Sequence, residues 1–301
     1  MKDISVVISA FNEEENLARC LASVSWARER IVVDNESSDK TVEIAKKYRA
    51  SVYTCKNNPM LNVNKNFGFD KATSPWIFNL DADEEVPEAL ASELSLLVPP
   101  NDVAGYWIPR KNIIFGKWIE HGLWWPDKQL RLFLRGQGKF PCKHVHEYIA
   151  VEGKTEELTQ PFTHYNYTSI SQYIRKMDTI YTNSNVENLT SSGYRFSWYD
   201  AIRFPVSDFV KIYFAQKGYK DGLHGLVLSM LQAFYSFVVF VKYWEAQGFR
   251  DVSLDGSQIS GELHRGAREI EFWNLTRQVE QAKNPISAFY LRVKRKLTHA
   301  S

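Results

Sequence analysis

The sequence WIFNLDADEE, Trp76 to Glu85, runs from an apolar segment of strand length straight into four carboxylates, Asp81, Asp83, Glu84 and Glu85. An open α/β sheet places such charge at its carboxyl rim, where ligands sit. Upstream, Ile4–Ala10, Arg30–Asp34 and Ser51–Thr54 are further apolar runs of strand length, separated by helix-length segments. That alternation predicts a mostly parallel sheet covered by helices. NEEENLARCLASV (12–24) places Leu17, Cys20, Leu21 and Val24 on one helical face, with acids in the first turn where the helix dipole favours them. SSDKTVEIAKKY (37–48) offers Ser and Asp as N-caps before Val42, Ile44 and Ala45 and ends in lysines. Two right-handed βαβ units follow.

Downstream, Pro87–Val98 reads as a helix and AGYWIPR (104–110) as a strand. Residues 112–151 read as short strands and loops that would face the mouth of the sheet. From Ser169 the pattern turns helical and aromatic, with no repeat or low-complexity linker. The expected division is an α/β domain over 1–168, in two halves at about 1–100 and about 101–168, followed by a helical region over 169–301.

Composition narrows the function classes. With 44% hydrophobic and 24% charged residues, the chain is not a disordered one. A net charge of +2 gives no overall sign that would attract nucleic acid, so any charged site is local. Cys20, Cys55 and Cys142 form no disulfide framework and point to a reducing, cytoplasmic compartment. The apolar run in MKDISVVISAFNEEEN is too short for a secretory signal, so folding is expected to start at the first residues. Nine Trp and an aromatic content of 14%, concentrated after residue 100, suggest different work for the two halves.

Three strand ends carry polar clusters: SAFNEE (9–14), VDNESSD (33–39) and LDADEE (80–85). In a parallel sheet they converge on one rim. Asp81 and Asp83 there would turn toward a hard cation, since Mg²⁺ and Mn²⁺ take one or two carboxylates plus substrate phosphate. The alternative, a solvated acidic loop before Pro87, suits an isolated Asp-x-Asp better than one emerging from an apolar strand.

VVISAFNEEENL, VVDNESSDKT, NKNFGFDKA and FNLDADE, in that order and spacing, resemble family-two glycosyltransferases of the GT-A fold. WWPDKQLRLF, HVHE, HYNYTS and KGYKDGLHGLVLS are similar to the subgroup that includes lipopolysaccharide-core β-1,4-glucosyltransferases. The resemblance implies a Rossmann-like α/β GT-A catalytic domain over 1–168, with a donor half at about 1–100 and an acceptor half at about 101–168, and a helical, aromatic-rich C-terminal extension. It also implies an inverting transfer from a UDP-sugar, with Mn²⁺ or Mg²⁺ as cofactor. Ser9, Phe11, Glu13 and Asp34 would then hold uracil and ribose, although Glu13 also reads as a first-turn acid and Asp34 as a turn residue. Lys65 would meet the diphosphate, or be a solvated helix lysine. Asp81 would contact ribose and metal, and Asp83 the metal directly.

An inverting transfer needs a carboxylate to take the acceptor's proton. The candidates are Glu84, Asp127 and Glu147. Glu84, beside the metal motif, reads as structural. RLFLRGQGKFPCKHVHE matches the family layout that puts the base at Glu147, with His-Glu where many relatives read Glu-Asp; Asp127 in WWPD is the runner-up. Cys142, His144 and His146 share a strand face and raise a zinc reading, which lacks a second ligand pair. His146 would orient Glu147 or contact sugar, and His164 would be a late metal ligand; either also reads as an ordinary structural histidine. Trp124 and Trp125 suit packing against an acceptor pyranose, or against the core.

From Leu223 to Val241 there is no formal charge apart from any proton on His224. This is close to the roughly 20 apolar residues of a bilayer span, but Ser229, Gln232, Ser236 and Gly225 interrupt it, with Gly222 just before it. With the aromatic and basic segment 195–222 before it, interfacial attachment is the favoured expectation, and a buried helix the alternative. The basic tail YLRVKRKLTH would draw the chain to anionic lipid, or be a solvated end. The expected function is transfer of glucose or a similar hexose to a glycolipid, lipopolysaccharide-core or oligosaccharide acceptor, peripherally at the cytoplasmic face of the inner membrane. The rivals are a catalytically silent sugar-nucleotide binder or assembly subunit, and a sugar nucleotidyltransferase. The last would need a Gly-rich basic loop that SAFNEEEN lacks.

Overall fold

The computed structural model describes residues 3–143 and 147–300. The chain forms two compact units, one running to Trp118 and again from Trp124 to Thr168, the other comprising Ile119–Leu123 and the chain from Ser169 onward.

In the first unit β1 (Ile4–Ala10), β2 (Glu29–Asp34), β3 (Ser51–Thr54) and β4 (Trp76–Asp81) alternate with α1 (Leu17–Ser23), α2 (Thr41–Lys47) and α3 (Leu61–Lys71). Then come β5 (Glu84–Glu85), α4 (Glu88–Leu96), β6 (Val103–Ile108), β7 (Arg110–Ile114), β8 (Lys117–Trp118) and β9 (Gln129–Leu134). β10 (Gly138–Lys139), β11 (Ala150–Val151), β12 (Lys154–Glu157) and β13 (Phe162–Tyr167) complete the unit. The main sheet has the order β12-β6-β9-β4-β1-β2-β3, in which β9 alone runs against its neighbours. β5, β13, β7 and β8 form a second sheet.

The four N-terminal strands form where predicted; β1, β2 and β4 are covered on both faces and read as near-continuous hydrophobic stretches, whereas β3 is a half-exposed edge strand. Val6, Ile8, Val32, Phe78 and Leu80 pack with Leu17 and Leu21 of α1 and with Leu90 and Leu94 of α4. On the opposite face Val7, Val33 and Ile77 pack with Phe69 of α3 and Phe133 of β9. Each such side chain contributes about 1.5–3 kcal/mol. Helix α3 approaches the sheet at Gly68, where a Cβ would lie 2.5 Å from Val7 Cγ1 and 2.7 Å from Val33 Cγ2.

Helix α1 starts only at Leu17, so Glu13–Glu15 precede it instead of forming its first turn. Asn12, at φ 54°, bends the chain there. The freed segment laces to the start of α2: Glu13 N donates to Thr41 Oγ1 (2.8 Å), and Lys40 N donates to Glu14 Oε2 (3.1 Å). The N-cap expected of Asp39 takes the form of its Oδ1 accepting from Thr41 N at 2.9 Å.

In the second unit α5 (Ile170–Lys176) continues through a π-helical turn into α6 (Thr182–Ser191), and α7 (Asp200–Val210) is followed by α8 (Leu223–Ala246), α9 (Gly256–Gln281) and α10 (Pro285–Ala300). Arg203 of α7 pairs with Glu262 of α9 through Nε and Nη2. Asp221, 3% exposed, accepts from the amides of Glu120 and His121, which ties 119–123 into this unit. By length and composition α8 is apolar enough to cross a membrane, and a third of that window is buried.

Candidate functional site

The order β3-β2-β1-β4 reverses the direction of chain progression between β1 and β4, and the carboxyl ends of those strands form the crevice where α/β ligands bind. β4 delivers Asp81 to that point, paired in register with Ser9 of β1. The four acids after Leu80 are met by basic groups from other elements. Lys65 Nζ of α3 lies 2.5 Å from Asp81 Oδ1, and Arg131 Nη2 of β9 lies 2.9 Å from Asp81 Oδ2 and 2.7 Å from Glu84 Oε1. Burial pushes the Asp81 carboxyl up, but Lys65 and Arg131 outweigh it and hold the group well below the ordinary carboxylate range. For Glu84, 0% exposed, burial wins and raises the carboxyl despite Arg131. Glu84 Oε2 also accepts from Asp81 N (2.8 Å), which closes the turn after β4. Glu84 is thus the structural carboxylate that the sequence suggested. Glu85 accepts from the Tyr165 hydroxyl at 2.8 Å. The thiol of Cys20, which approaches the Asp81 carbonyl, is pushed up first by burial and then by the charge of Glu84, so it stays neutral.

Asp83 faces His164 of β13, with Oδ2 3.4 Å from Nε2. The other ring nitrogen, Nδ1, lies 2.8 Å from Asn112 Oδ1. Asn112 is fully buried, and its Nδ2 donates to Trp124 O (2.9 Å) and Asp127 Oδ2 (2.8 Å). Its oxygen can therefore only accept, which puts the ring proton on Nδ1. In the neutral ring, the Nε2 lone pair then points at a carboxylate oxygen, and two acceptors face one another across a gap that a proton or a cation would bridge.

This arrangement differs in one respect from the expected metal set. Asp81, Asp83 and His164 do not converge as three ligands, and among the described residues no three His, Cys, Asp or Glu side chains are grouped to hold an ion. Asp81 is instead turned to Lys65 and Arg131. The Asp83–His164 pair still suits Mg²⁺ or Mn²⁺, which typically take one or two protein ligands and complete their shell with phosphate and water.

Along the β1–β2 side of the rim, Ser9 Oγ accepts from Asn35 Nδ2 (2.9 Å), and Asn35 Oδ1 accepts from Asn64 Nδ2 of α3 (2.7 Å). Asp34 is 3% exposed and caps its own turn, accepting from Ser37 N at 3.2 Å. Phe11 is 44% exposed, and Glu13 accepts from Asn16 Nδ2 (2.9 Å). Ser9, Asp34 and Lys65 thus share one rim with Asp81, and Phe11 and Glu13 follow directly from it.

Glu147 lies at the opposite end of a link through α3. Its carboxylate accepts from the amides of Cys142 and Lys143 and from Asn62 Nδ2 (3.1 Å), one turn before Lys65. Asp127 accepts from Arg110 through Nε (2.8 Å) and Nη2 (2.7 Å), from Asn112, and from Gln129 Nε2 (2.9 Å). Four donors on two oxygens make Asp127 an anchor for Arg110 and Asn112. Trp124 supplies the carbonyl that fixes Asn112, and Trp125 packs edge-on against Trp118 at 5.4 Å. His144 and His146 lie outside the described residues.

Arg110, Arg131, Asn112, Asn35 and Asn64 were not singled out by sequence. Arg131 did carry a signal, a lone charge within QLRLFL, where an apolar strand demands a buried partner. Asn35 and Asn64 stand inside quoted motifs. Nothing in the sequence marked Asn112.

Comparison with known proteins gives the family. The sequence profile of a family described as "Glycosyl transferase family 2" matches residues 5–203. The lipopolysaccharide core biosynthesis glycosyltransferase LpsC of Rhizobium meliloti (strain 1021) is 27% identical over 254 residues, covering 82% of this chain and 94% of its own. An uncharacterized glycosyltransferase of Rickettsia typhi is 29% identical over 260 residues, covering 81% and 88%. The structure of S. aureus TarS 1-349 in complex with UDP matches at TM-score 0.43 and 14% identity, over 84% of this chain and 95% of that one. The profile spans the main sheet, the Asp81 rim and the Asp83–His164 pair, and the chain belongs to glycosyl transferase family 2.

Proposed function

We propose that this chain transfers a hexose, glucose or a close relative, from a UDP-sugar to a glycolipid or lipopolysaccharide-core acceptor, with inversion and with a divalent cation. The observation that carries the reading is the Asp83–His164 pair beside Asp81 at the β1–β4 crevice. Asp83 and His164 would hold Mn²⁺ or Mg²⁺, which when bound would stabilise charge on the departing diphosphate. Lys65, 15% exposed, would exchange Asp81 for a phosphate oxygen. Asp34 and Glu13 would accept from ribose or uracil, with Phe11 against the base. The acceptor hydroxyl attacks the anomeric carbon as the bond to diphosphate breaks, and Glu147 takes its proton. The acceptor class is supported by the relative in Rhizobium meliloti, whose name places it in lipopolysaccharide core synthesis. Residues 1–168 would be the catalytic domain, and residues 169–301 would hold the enzyme peripherally on the cytoplasmic face of the inner membrane.

Calorimetric titration of UDP and GDP into the purified chain, with and without Mn²⁺, tests this. Mn²⁺-dependent UDP binding that Asp83→Ala abolishes is expected. A folded chain that binds neither nucleotide in the presence of Mn²⁺ would overturn the transferase reading in favour of an assembly subunit.

A further inference from the structure

We infer that the outer face of α10 is a docking surface for anionic lipid. The proposal rests on the membrane-surface part of the reading above and is independent of the transfer chemistry. α10 lies along α9, with Arg295 directed inward: its Nη1 reaches Thr276 Oγ1 at 3.4 Å, and its guanidinium sits 5.7 Å from the Phe272 ring. Ala288, Leu291 and Thr298 share that half-buried side. The opposite side is apolar and open. Ile286 is 78% exposed, Phe289 and Tyr290 66% each, and Val293 44%.

At 3.6 residues per turn these four side chains fall within an arc of about 100°, the width of a face built to be covered. Lys294 and Lys296 stand roughly 80° to either side of Ile286 on the same wheel; Lys294 Nζ lies 3.1 Å from Glu271 Oε1 of α9, and Lys296 is exposed. An apolar stripe with an exposed lysine on its flank suits a helix lying in a bilayer interface, with rings among the acyl chains and the Lys296 ammonium reaching the headgroups.

Charge selects the occupant. Residues 283–300 contain Lys283, Arg292, Lys294, Arg295 and Lys296 and no Asp or Glu. Arg295 is turned inward and Lys294 is paired with Glu271, so Lys283, Arg292 and Lys296 supply the charge that complements anionic headgroups. α8 also exposes Leu226, Met230, Phe234 and Phe237, but no charged residue lies between Leu223 and Val241 to favour one lipid class. The sequence had placed the main attachment at 195–241 and gave the tail an assisting part; the exposed face moves the principal contact to α10.

Flotation of the full chain with vesicles tests this, comparing phosphatidylglycerol mixed into phosphatidylcholine with phosphatidylcholine alone. Expected is binding to the anionic vesicles only, weakened by salt. Arg292→Gln and Lys296→Gln should each lower partitioning about fivefold, and the double variant Phe289→Ser/Val293→Ser should abolish it. Circular dichroism and UDP titration of each variant separate loss of docking from loss of fold or of the donor site. Three outcomes would overturn the proposal. The wild type does not float, the variants float as the wild type does, or the α10 variants instead abolish self-association in sedimentation, which would give the face to a second copy of the chain.

Discussion

Asp83 Oδ2 and His164 Nε2 stand 3.4 Å apart, and the relation holds because Asn112 has already taken the other nitrogen of the ring. Asn112 is itself held by Trp124 and Asp127, so a chain of buried hydrogen bonds aims one lone pair at one carboxylate.

If Asp83 and His164 hold the proposed cation, removing Asn112 should act on it without touching it. Outer partners of a metal-ligating histidine are worth about 10–100-fold in affinity. Asn112→Ala is expected to weaken Mn²⁺ binding by that factor in an electron-paramagnetic-resonance titration, with His164→Ala at least as severe. Unchanged Mn²⁺ affinity in both variants would place the cation elsewhere.

Glu147→Gln keeps the size of a side chain that accepts from Cys142, Lys143 and Asn62 while removing its basicity. Turnover should drop about 10²–10⁴-fold, with UDP affinity unchanged in calorimetry. Asp127→Asn, which disturbs the Arg110 and Asn112 anchor, is expected to change Mn²⁺ affinity as well as turnover. If turnover falls only in Asp127→Asn and Glu147→Gln is silent, the base is not Glu147.

The Asp81 carboxyl lies below its ordinary value because Lys65 and Arg131 outweigh the effect of burial. An acid depressed in the folded state adds stability that is present above the unfolded pKa, about 3.9, and is lost as pH falls through the folded value. Asp81→Asn should cost about 1–3 kcal/mol at pH 7 in urea unfolding. The difference should persist to about pH 5 and shrink below about pH 4. A difference that grows at low pH would contradict the pairing.

Gly68→Ala would drive a Cβ to 2.5 Å from Val7 Cγ1 and 2.7 Å from Val33 Cγ2. The expected cost is about 1–3 kcal/mol. Because α3 also carries Asn64 and Lys65, UDP affinity should fall with stability, and Val33→Ala should restore part of both. Wild-type UDP affinity in Gly68→Ala would show that α3 does not position the donor site.

The four N-terminal strands were legible almost to the residue; for β1, β2 and β4 this is because a strand buried on both faces needs an apolar residue at nearly every position, as Trp76–Leu80 has. Family membership was legible too, through motifs that lie at strand ends on one rim. The outer face of α10 was less so, since a periodic apolar stripe does not say which of its sides α9 covers.

What the sequence determined by itself was therefore local: strands, the helices between them, and the convergence of three polar clusters. Tertiary structure alone decided the partners of those acids. Arg131 reaches Asp81 and Glu84 across separations of 50 and 47 residues, from a strand that runs against its neighbours, and Asn112 meets His164 across 52. Charge type is written in each residue, but an ion pair depends on distance. Distance between remote residues exists only once β9, β7 and β13 have been laid beside β4 and β5.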